Sequence, residues 1–173
     1  MTVSDRFDLA IIGGGIVGAW CLYLAATRHP SMRVVLIEKS IIGGGATAHS
    51  GGISLAIGQT AWERKLAASS ARHYEEVSGV LGIQPDATSA YWIIDSEGVA
   101  KLREVALAAA ELSLCDLRDL TDHVHASARV GQSDVVLAGG TPLSYEAADV
   151  TRALVRCCRQ LPKPGEPEPI GLV

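Results

Sequence analysis

The sequence Asp8-Leu-Ala-Ile-Ile-Gly-Gly-Gly-Ile-Val-Gly18 passes from an apolar run into a glycine-rich turn and then into a segment of helical character. A strand that enters a helix through such a turn is typical of dinucleotide-binding βαβ units. Gly13 allows the tight turn, Gly15 leaves room for a pyrophosphate to approach the backbone, and Gly18 lets the helix pack closely on the strand. We expect the diphosphate at the helix N-terminus, where N–H groups and the helix dipole favour negative charge.

A second apolar segment, Val34-Val-Leu-Ile37, predicts a neighbouring parallel strand that ends at Glu38. A carboxylate at this place binds the ribose hydroxyls in dinucleotide folds. The intervening residues 16–27 are nearly all apolar and stop before Pro30, as expected for a helix packed on a parallel sheet. A glycine turn without a ligand is the alternative, but the strand, helix, second strand and terminal acid occur together at the expected spacing.

Composition and charge restrict the classes of function. The chain has 173 residues, of which 48% are hydrophobic and 20% charged, as in a globular domain. A net charge of −4 with scattered basic residues argues against a nucleic-acid partner. No run reaches the roughly 18 apolar residues of a membrane span, and no basic segment followed by an apolar one opens the chain. We therefore predict no membrane span and a cytoplasmic location.

Metal-binding and thiol chemistry have little support in the sequence. The cysteines show no metal-ligand spacing, and Cys21, Cys115 and Cys157 are predicted to be reduced and buried. His123 and His125 have no third ligand at a suitable distance along the chain, so a polar surface strand is the preferred interpretation. No metal site is predicted.

The rest of the chain divides into further elements. Residues 43–52 are rich in glycine and small side chains and predict a binding loop. A helix is expected from Thr60, with a capping box to Glu63 and an apolar face that packs on another element; this face holds Trp62, Leu66, Ser69, His73, Val77 and Val80.

Later segments predict a second, inserted unit. Strands are expected at 90–94 and 134–138, and an amphipathic helix at 97–112. A last amphipathic helix is expected at about 145–161, and the four prolines that follow predict an irregular tail.

A resemblance to a known family rests on two motifs. Ile37-Glu-Lys39, followed by Gly45-Ala-Thr-Ala-His-Ser-Gly-Gly52, resembles the flavin-dependent amine and amino-acid oxidoreductases typified by D-amino-acid oxidase, glycine oxidase, sarcosine oxidase and dimethylglycine dehydrogenase. The resemblance extends through Leu161, and the segment from Pro142 to Leu154 is similar to the family's return to the flavin domain.

This resemblance implies an α/β fold class, with a Rossmann-like FAD-binding βαβ unit on a parallel sheet and the start of an inserted α+β substrate domain. Family members are longer, and their second half closes the nucleotide fold and completes the substrate sheet, so the fold is expected to be incomplete. The implied boundaries are an FAD-binding region at 1–84, a partial substrate-domain insertion at 85–141, a returning helix at 142–161 and a proline-rich tail at 162–173.

The resemblance also implies which residues contact FAD. The first glycines would hold the pyrophosphate, Glu38 the ribose and Lys39 the adenine side, while residues 46–52 would line the path to the flavin ring. The full set of expected cofactor-binding residues is Gly13, Gly14, Gly15, Ile16, Val17, Gly18, Glu38, Lys39, Gly45, Ala46, Thr47, His49, Ser50, Gly51 and Gly52.

His49 has two interpretations. Its motif is similar to that of dimethylglycine dehydrogenase, in which the histidine bonds covalently to the flavin. The alternative is a noncovalent residue in the wall of the site.

The implied activity is oxidation of a C–N bond of a small-molecule amine or amino acid by hydride transfer to FAD. Three alternatives stay open: an inactive fragment or half-subunit that needs a second polypeptide, the NAD-binding part of a dehydrogenase, and an FAD oxidoreductase acting on a 2-hydroxy acid or polyol. No catalytic residue or substrate anchor can be assigned from the sequence.

Overall fold

A computed structural model describes residues 6–54, 60–95, 98, 113–114, 134–138 and 142–161. These residues form two compact units. The first holds residues 6–52, 81–83 and 145–161, and the second holds residues 53–54, 60–80 and the described residues from 84 to 144. In chain order the elements are β1 (Leu9–Ile12), α1 (Ile16–Arg28), β2 (Val34–Ile37), a 3₁₀ turn (Ala46–His49), β3 (Ile53–Ser54), α2 (Ala61–Leu81), β4 (Asp86–Ala87), β5 (Tyr91–Ile94), β6 (Ser113–Leu114), β7 (Val135–Ala138), β8 (Leu143–Ser144) and α3 (Ala147–Gln160).

The first unit is built on the predicted βαβ arrangement. β1 and β2 are parallel, with Leu9 opposite Val34 and Ile12 opposite Ile37. α1 connects the two strands and contacts both of them. This confirms the parallel α/β fold class expected from the sequence.

The last helix, α3, packs against α1 within the same unit. Its buried face consists of Ala148, Val150, Thr151, Leu154 and Val155. This apolar stripe follows the helical repeat, so the amphipathic helix predicted near the end of the chain is confirmed.

The two-stranded sheet has one covered and one uncovered face. The side chain of Ile11 lies against α1 at Gly18. Because neighbouring residues of a strand point to opposite faces, Ala10 and Ile12 lie on the other side. Ile12 is 86% exposed and its register partner Ile37 is 51% exposed. The uncovered face is therefore apolar and open to solvent.

The second unit contains two antiparallel sheets, with strand orders β3-β8-β4 and β5-β7-β6. Helix α2 begins with the predicted capping box: the Thr60 N–H donates to Glu63 Oε2 at 2.9 Å, and the Glu63 N–H donates to Thr60 Oγ1 at 3.1 Å. The short sequence pattern therefore predicted this helix start correctly.

The expected packing of α2 is wrong for half of the six residues of this face, while Ser69 and His73 are half-buried. Val77 is buried, but Trp62, Leu66 and Val80 are exposed. Helical spacing determines which side chains share a face, and it does not determine whether another element covers that face.

The prediction of a buried Cys21 is also wrong, because this side chain is exposed. Helix α1 is apolar nearly all round, so its sequence does not indicate which side meets solvent. Val17 lies exposed on the same helix, whereas Ala19 is buried. Cys157 is half-buried, as is its neighbour Cys158, whose pKa is raised to about 11 because its thiol is desolvated and lies beside Cys157.

Several expectations fall outside the described residues. They include Cys115, His123, His125, almost all of the helix expected at 97–112, and the tail at 162–173. The domain boundaries at 84/85, 141/142 and 161/162 remain predictions. Within the described part of the chain, no helix combines the length and apolar character needed to cross a membrane.

Candidate functional site

The first glycine turn has the geometry that the motif predicts. Gly13 adopts φ +101°, a conformation that favours glycine, and its N–H donates to the carbonyl of Ile37 at 2.8 Å. A Cβ on Gly18 would overlap the carbonyl oxygen of Gly13. The turn and the first turn of α1 are therefore packed too closely for any side chain at position 18.

Glu38 reaches this turn from the end of β2. Its Oε2 accepts the N–H of Gly14 at 2.6 Å, and its Oε1 accepts the N–H of Ser40 at 2.9 Å. Gly14 is itself buried, and a Cβ there would come within 2.5 Å of Ile42 Cδ1. Each carboxylate oxygen can accept more than one hydrogen bond, so Glu38 can hold the turn and still accept ribose hydroxyls.

The hydrogen bonds also determine the charge state of Glu38. Donation from the Gly14 N–H, with smaller contributions from Ser40 and Lys39, lowers the pKa of Glu38 below its ordinary value. Because the folded-state pKa is the lower one, the carboxylate stabilises the turn fully above the ordinary glutamate pKa. That contribution is lost as the pH falls through the lowered folded-state pKa.

We expect Glu38→Gln to weaken dinucleotide binding about tenfold, since the amide has one acceptor oxygen where the carboxylate has two: one charge-assisted hydrogen bond becomes neutral and the other is lost. The difference in stability between the wild-type chain and this variant should be constant at neutral pH and shrink on acidification below the ordinary glutamate pKa. Titration with the dinucleotide measures the affinity, and urea unfolding from pH 8 to pH 3 measures the stability. Glu75→Gln, on the exposed side of α2, is the matched control. An unchanged affinity in Glu38→Gln would contradict the ribose assignment.

The second glycine loop lies against the first. The Gly43 N–H donates to the carbonyl of Gly14 at 2.8 Å, and Gly43 adopts φ +75° beside Ala148 and Thr151 of α3. Gly43 belongs to the predicted binding loop, but the sequence did not indicate its contact with Gly14. The run of three glycines at 43–45 was the feature of the sequence that could have indicated this close contact.

Thr47 is, with Gly43, one of the two buried residues of this loop. Its Oγ1 accepts the N–H of Ile16, the first residue of α1, at 3.0 Å. Further along, the Ser50 Oγ accepts the N–H of Gly52 at 3.2 Å, and the carbonyl of Gly52 accepts the N–H of Tyr145 at 2.9 Å. The loop is thus attached at one end to α1 and at the other to the chain that enters α3.

The structure brings part of the predicted set together at the glycine turn. The N–H of Gly14 is bonded to Glu38, and the N–H of Ile16 is bonded to Thr47. The following positions of the predicted set are exposed or half-buried: Val17, Lys39, Gly45, Ala46, His49, Ser50, Gly51 and Gly52. That these residues contact a cofactor remains a prediction.

Comparison with known families identifies the chain. The family model described as "FAD dependent oxidoreductase" (DAO) matches residues 8–161, which include both glycine loops, Glu38 and α3. The chain belongs to this family of FAD-dependent oxidoreductases. The sequence resemblance is therefore confirmed, and the NAD alternative loses its support. No curated protein sequence matches the chain.

Solved structures share the fold. L-proline dehydrogenase from P. horikoshii superposes with a TM-score of 0.70 at 19% identity, over 91% of this chain and 42% of that one. Glycine oxidase from Bacillus cereus gives 0.65 at 21% identity, over 89% and 44%. L-amino acid deaminase from Proteus myxofaciens gives 0.67 at 16% identity, over 92% and 38%. The chain therefore spans less than half the length of each of these proteins.

The site fits FAD, the cofactor of the family. The helix dipole at the start of α1, where the two glycine loops meet, favours an anionic diphosphate; two backbone N–H groups there, those of Gly14 and Ile16, are bonded to Glu38 and Thr47. Glu38 offers the acceptor oxygens that a ribose needs.

Proposed function

We propose that this chain is the FAD-binding part of an oxidoreductase that oxidises a C–N bond of an amino acid or amine. The observation that carries this proposal is the meeting of Glu38 and Thr47 at the glycine turn, in a chain of the FAD-dependent oxidoreductase family. The names of the three structural neighbours above, a proline dehydrogenase, a glycine oxidase and an amino acid deaminase, all refer to amino acids. They support an amino-acid substrate over a 2-hydroxy acid or polyol.

The residues of the chain have distinct tasks in this proposal. The glycine turn and the N-terminus of α1 receive the diphosphate, Glu38 accepts the ribose hydroxyls, and the loop from Gly45 to Gly52 borders the path toward the flavin ring. Lys39, exposed beside Glu38, lies on the adenine side. Bound FAD supplies the hydride acceptor, and the protein orients it.

We also propose that a complementary polypeptide carrying the rest of the family fold completes the site. The uncovered face of the β1–β2 sheet supports this, because Ile12 and Ile37 expose an apolar surface that parallel sheets normally bury on both sides.

For His49 we propose a covalent bond between a ring nitrogen and the methyl carbon of the flavin. The bond would replace one methyl C–H bond and the ring N–H bond; the two hydrogens and two electrons would reduce the flavin itself, and the electron acceptor of the proposed oxidation would reoxidise it. His49 ends the 3₁₀ turn and is exposed, so its ring is accessible to a ligand in the loop. This proposal is independent of FAD binding as such, since a noncovalent site needs no bond at this position.

The visible absorption of the purified protein tests these proposals together. We expect a flavin spectrum when the chain is co-expressed with a complementary family polypeptide. Anaerobic addition of amino acids or amines should bleach the spectrum, and lactate or glycerol should not. Bleaching by the hydroxy compounds alone would contradict C–N oxidation. A protein that is colourless and takes up no added FAD, both alone and with the complementary polypeptide, would contradict the FAD site itself.

Acid precipitation separates the two interpretations of His49. A covalent flavin stays in the pellet, and the colour should move to the supernatant in His49→Ala. His29→Ala, at an exposed histidine after α1, should behave as the wild-type chain does. Release of flavin from the wild-type protein would contradict the covalent bond and leave FAD binding intact.

A further inference from the structure

The N-terminus of α1 has no capping side chain of its own. Gly15 occupies the N-cap position, and the first turn carries no acidic residue. Helices normally satisfy some of their first N–H groups with a serine, threonine, asparagine or aspartate at this position. Because glycine has no side chain to accept these N–H groups, another part of the chain must provide the acceptor.

Thr47 supplies the missing cap from 31 residues further along the chain. Its hydroxyl oxygen accepts the N–H of Ile16 at 3.0 Å, and its side chain is only 7% exposed. Because the bond is shielded, water cannot readily replace the hydroxyl if it is removed, and the N–H would lose a partner.

Gly15 makes this bond possible. A Cβ at position 15 would lie 3.1 Å from Thr47 Oγ1, closer than ordinary van der Waals contact. The space beside Gly15, which the sequence motif reserves for a pyrophosphate, therefore also admits the hydroxyl of Thr47.

The result is a pair of loops joined to each other and to β2 through the protein's own groups. The N–H of Gly14 is engaged by Glu38, that of Ile16 by Thr47, and the carbonyl of Gly14 by Gly43. We propose that Thr47 is a positioning residue that fixes the loop of residues 45–52 against the start of α1 before FAD binds. This role rests on the proposed FAD site, and it lowers the cost of ordering the loop when the cofactor arrives.

The test compares Thr47→Val, which keeps the shape and removes the hydroxyl, with Thr47→Ser, which keeps the hydroxyl. In the chain with its complementary polypeptide, we expect Thr47→Val to raise the FAD dissociation constant about tenfold. Thr47→Ser should stay within about twofold of the wild-type value, because the capping oxygen is retained. Thr27→Val, at an exposed threonine near the end of α1, is the matched control and should have no effect.

Amide hydrogen exchange of Ile16 in the FAD-free protein provides a readout specific to positioning. Exchange at Ile16 should accelerate in Thr47→Val and not in Thr47→Ser or Thr27→Val. Unchanged exchange, or FAD binding in Thr47→Val as tight as in the wild type or tighter, would overturn the proposal, since the hydroxyl would then be irrelevant or would compete with the diphosphate.

Two further results keep the outcomes separable. If Thr47→Val fails to fold, Gly15→Ala replaces it in the test, because the added Cβ crowds the Thr47 hydroxyl while every polar group remains. Faster exchange of the Ile16 amide is expected in Gly15→Ala as well. Unchanged exchange in this variant would overturn the proposal. If the wild-type protein binds no FAD, the proposed function fails, and the exchange measurement alone decides whether Thr47 positions the loop.

Discussion

Replacing Gly18 with alanine is expected to abolish measurable FAD binding. The added Cβ would overlap the Gly13 carbonyl, which belongs to the turn whose N–H is bonded to Ile37 at the end of β2. Relief of the overlap requires α1 to move away from the turn, so the diphosphate cradle is lost. We expect the free energy of unfolding to fall by about 3 kcal/mol, as in other overpacked sites. Titration with FAD and urea unfolding measure the two effects.

Gly79→Ala is the matched control for this change. Gly79 is also a helical glycine, in α2, but its missing Cβ would meet no atom within 4 Å. Alanine is the better helix former by about 1 kcal/mol, so Gly79→Ala should stabilise the protein slightly. The free energy of unfolding is therefore expected to fall in Gly18→Ala and to rise in Gly79→Ala. A Gly18→Ala variant that binds FAD as well as the wild type would show that the turn is not tightly packed.

Replacing Gly52 with alanine is expected to release the second glycine loop from the start of α3. Gly52 adopts φ +62°, where a side chain is strained, and a Cβ there would overlap the carbonyl of Tyr145. The same pair of residues is joined by the hydrogen bond from the Tyr145 N–H to the Gly52 carbonyl. We expect a loss of about 3 kcal/mol in the free energy of unfolding, measured by urea denaturation.

Gly82→Ala separates the two causes of this loss. Gly82 has a similar conformation, with φ +67°, and its missing Cβ would meet no atom within 4 Å. It should therefore show only the backbone strain, about 1 kcal/mol. Equal losses of unfolding free energy in Gly52→Ala and Gly82→Ala would mean that the overlap between the added Cβ and the Tyr145 carbonyl costs nothing.

Local patterns predicted local structure well. The strand at Leu9–Ile12, the helix that follows it and the strand at Val34–Ile37 were all expected, because apolar runs and glycine turns act over a few residues. The capping box at Thr60 was recognisable for the same reason. Ile37-Glu-Lys39 and the segment from Gly45 to Gly52 also predicted which family the chain belongs to.

Burial was predicted less well. The apolar spacing of α2 identified a face but gave no information on what covers it, and Trp62 and Leu66 are exposed. Cys21 is exposed for a related reason, since an all-apolar helix such as α1 does not mark its own solvent side.

The amino-acid pattern is sufficient to predict the βαβ unit, its glycine turn and the acid that follows β2, because each depends on residues close together in the chain. The hydrogen bonds from the Gly14 N–H to Glu38 and from the Ile16 N–H to Thr47 became visible only in the folded chain. These bonds join residues 24 and 31 positions apart. Their formation depends on the path of the chain between them, and side-chain type and spacing do not encode that path.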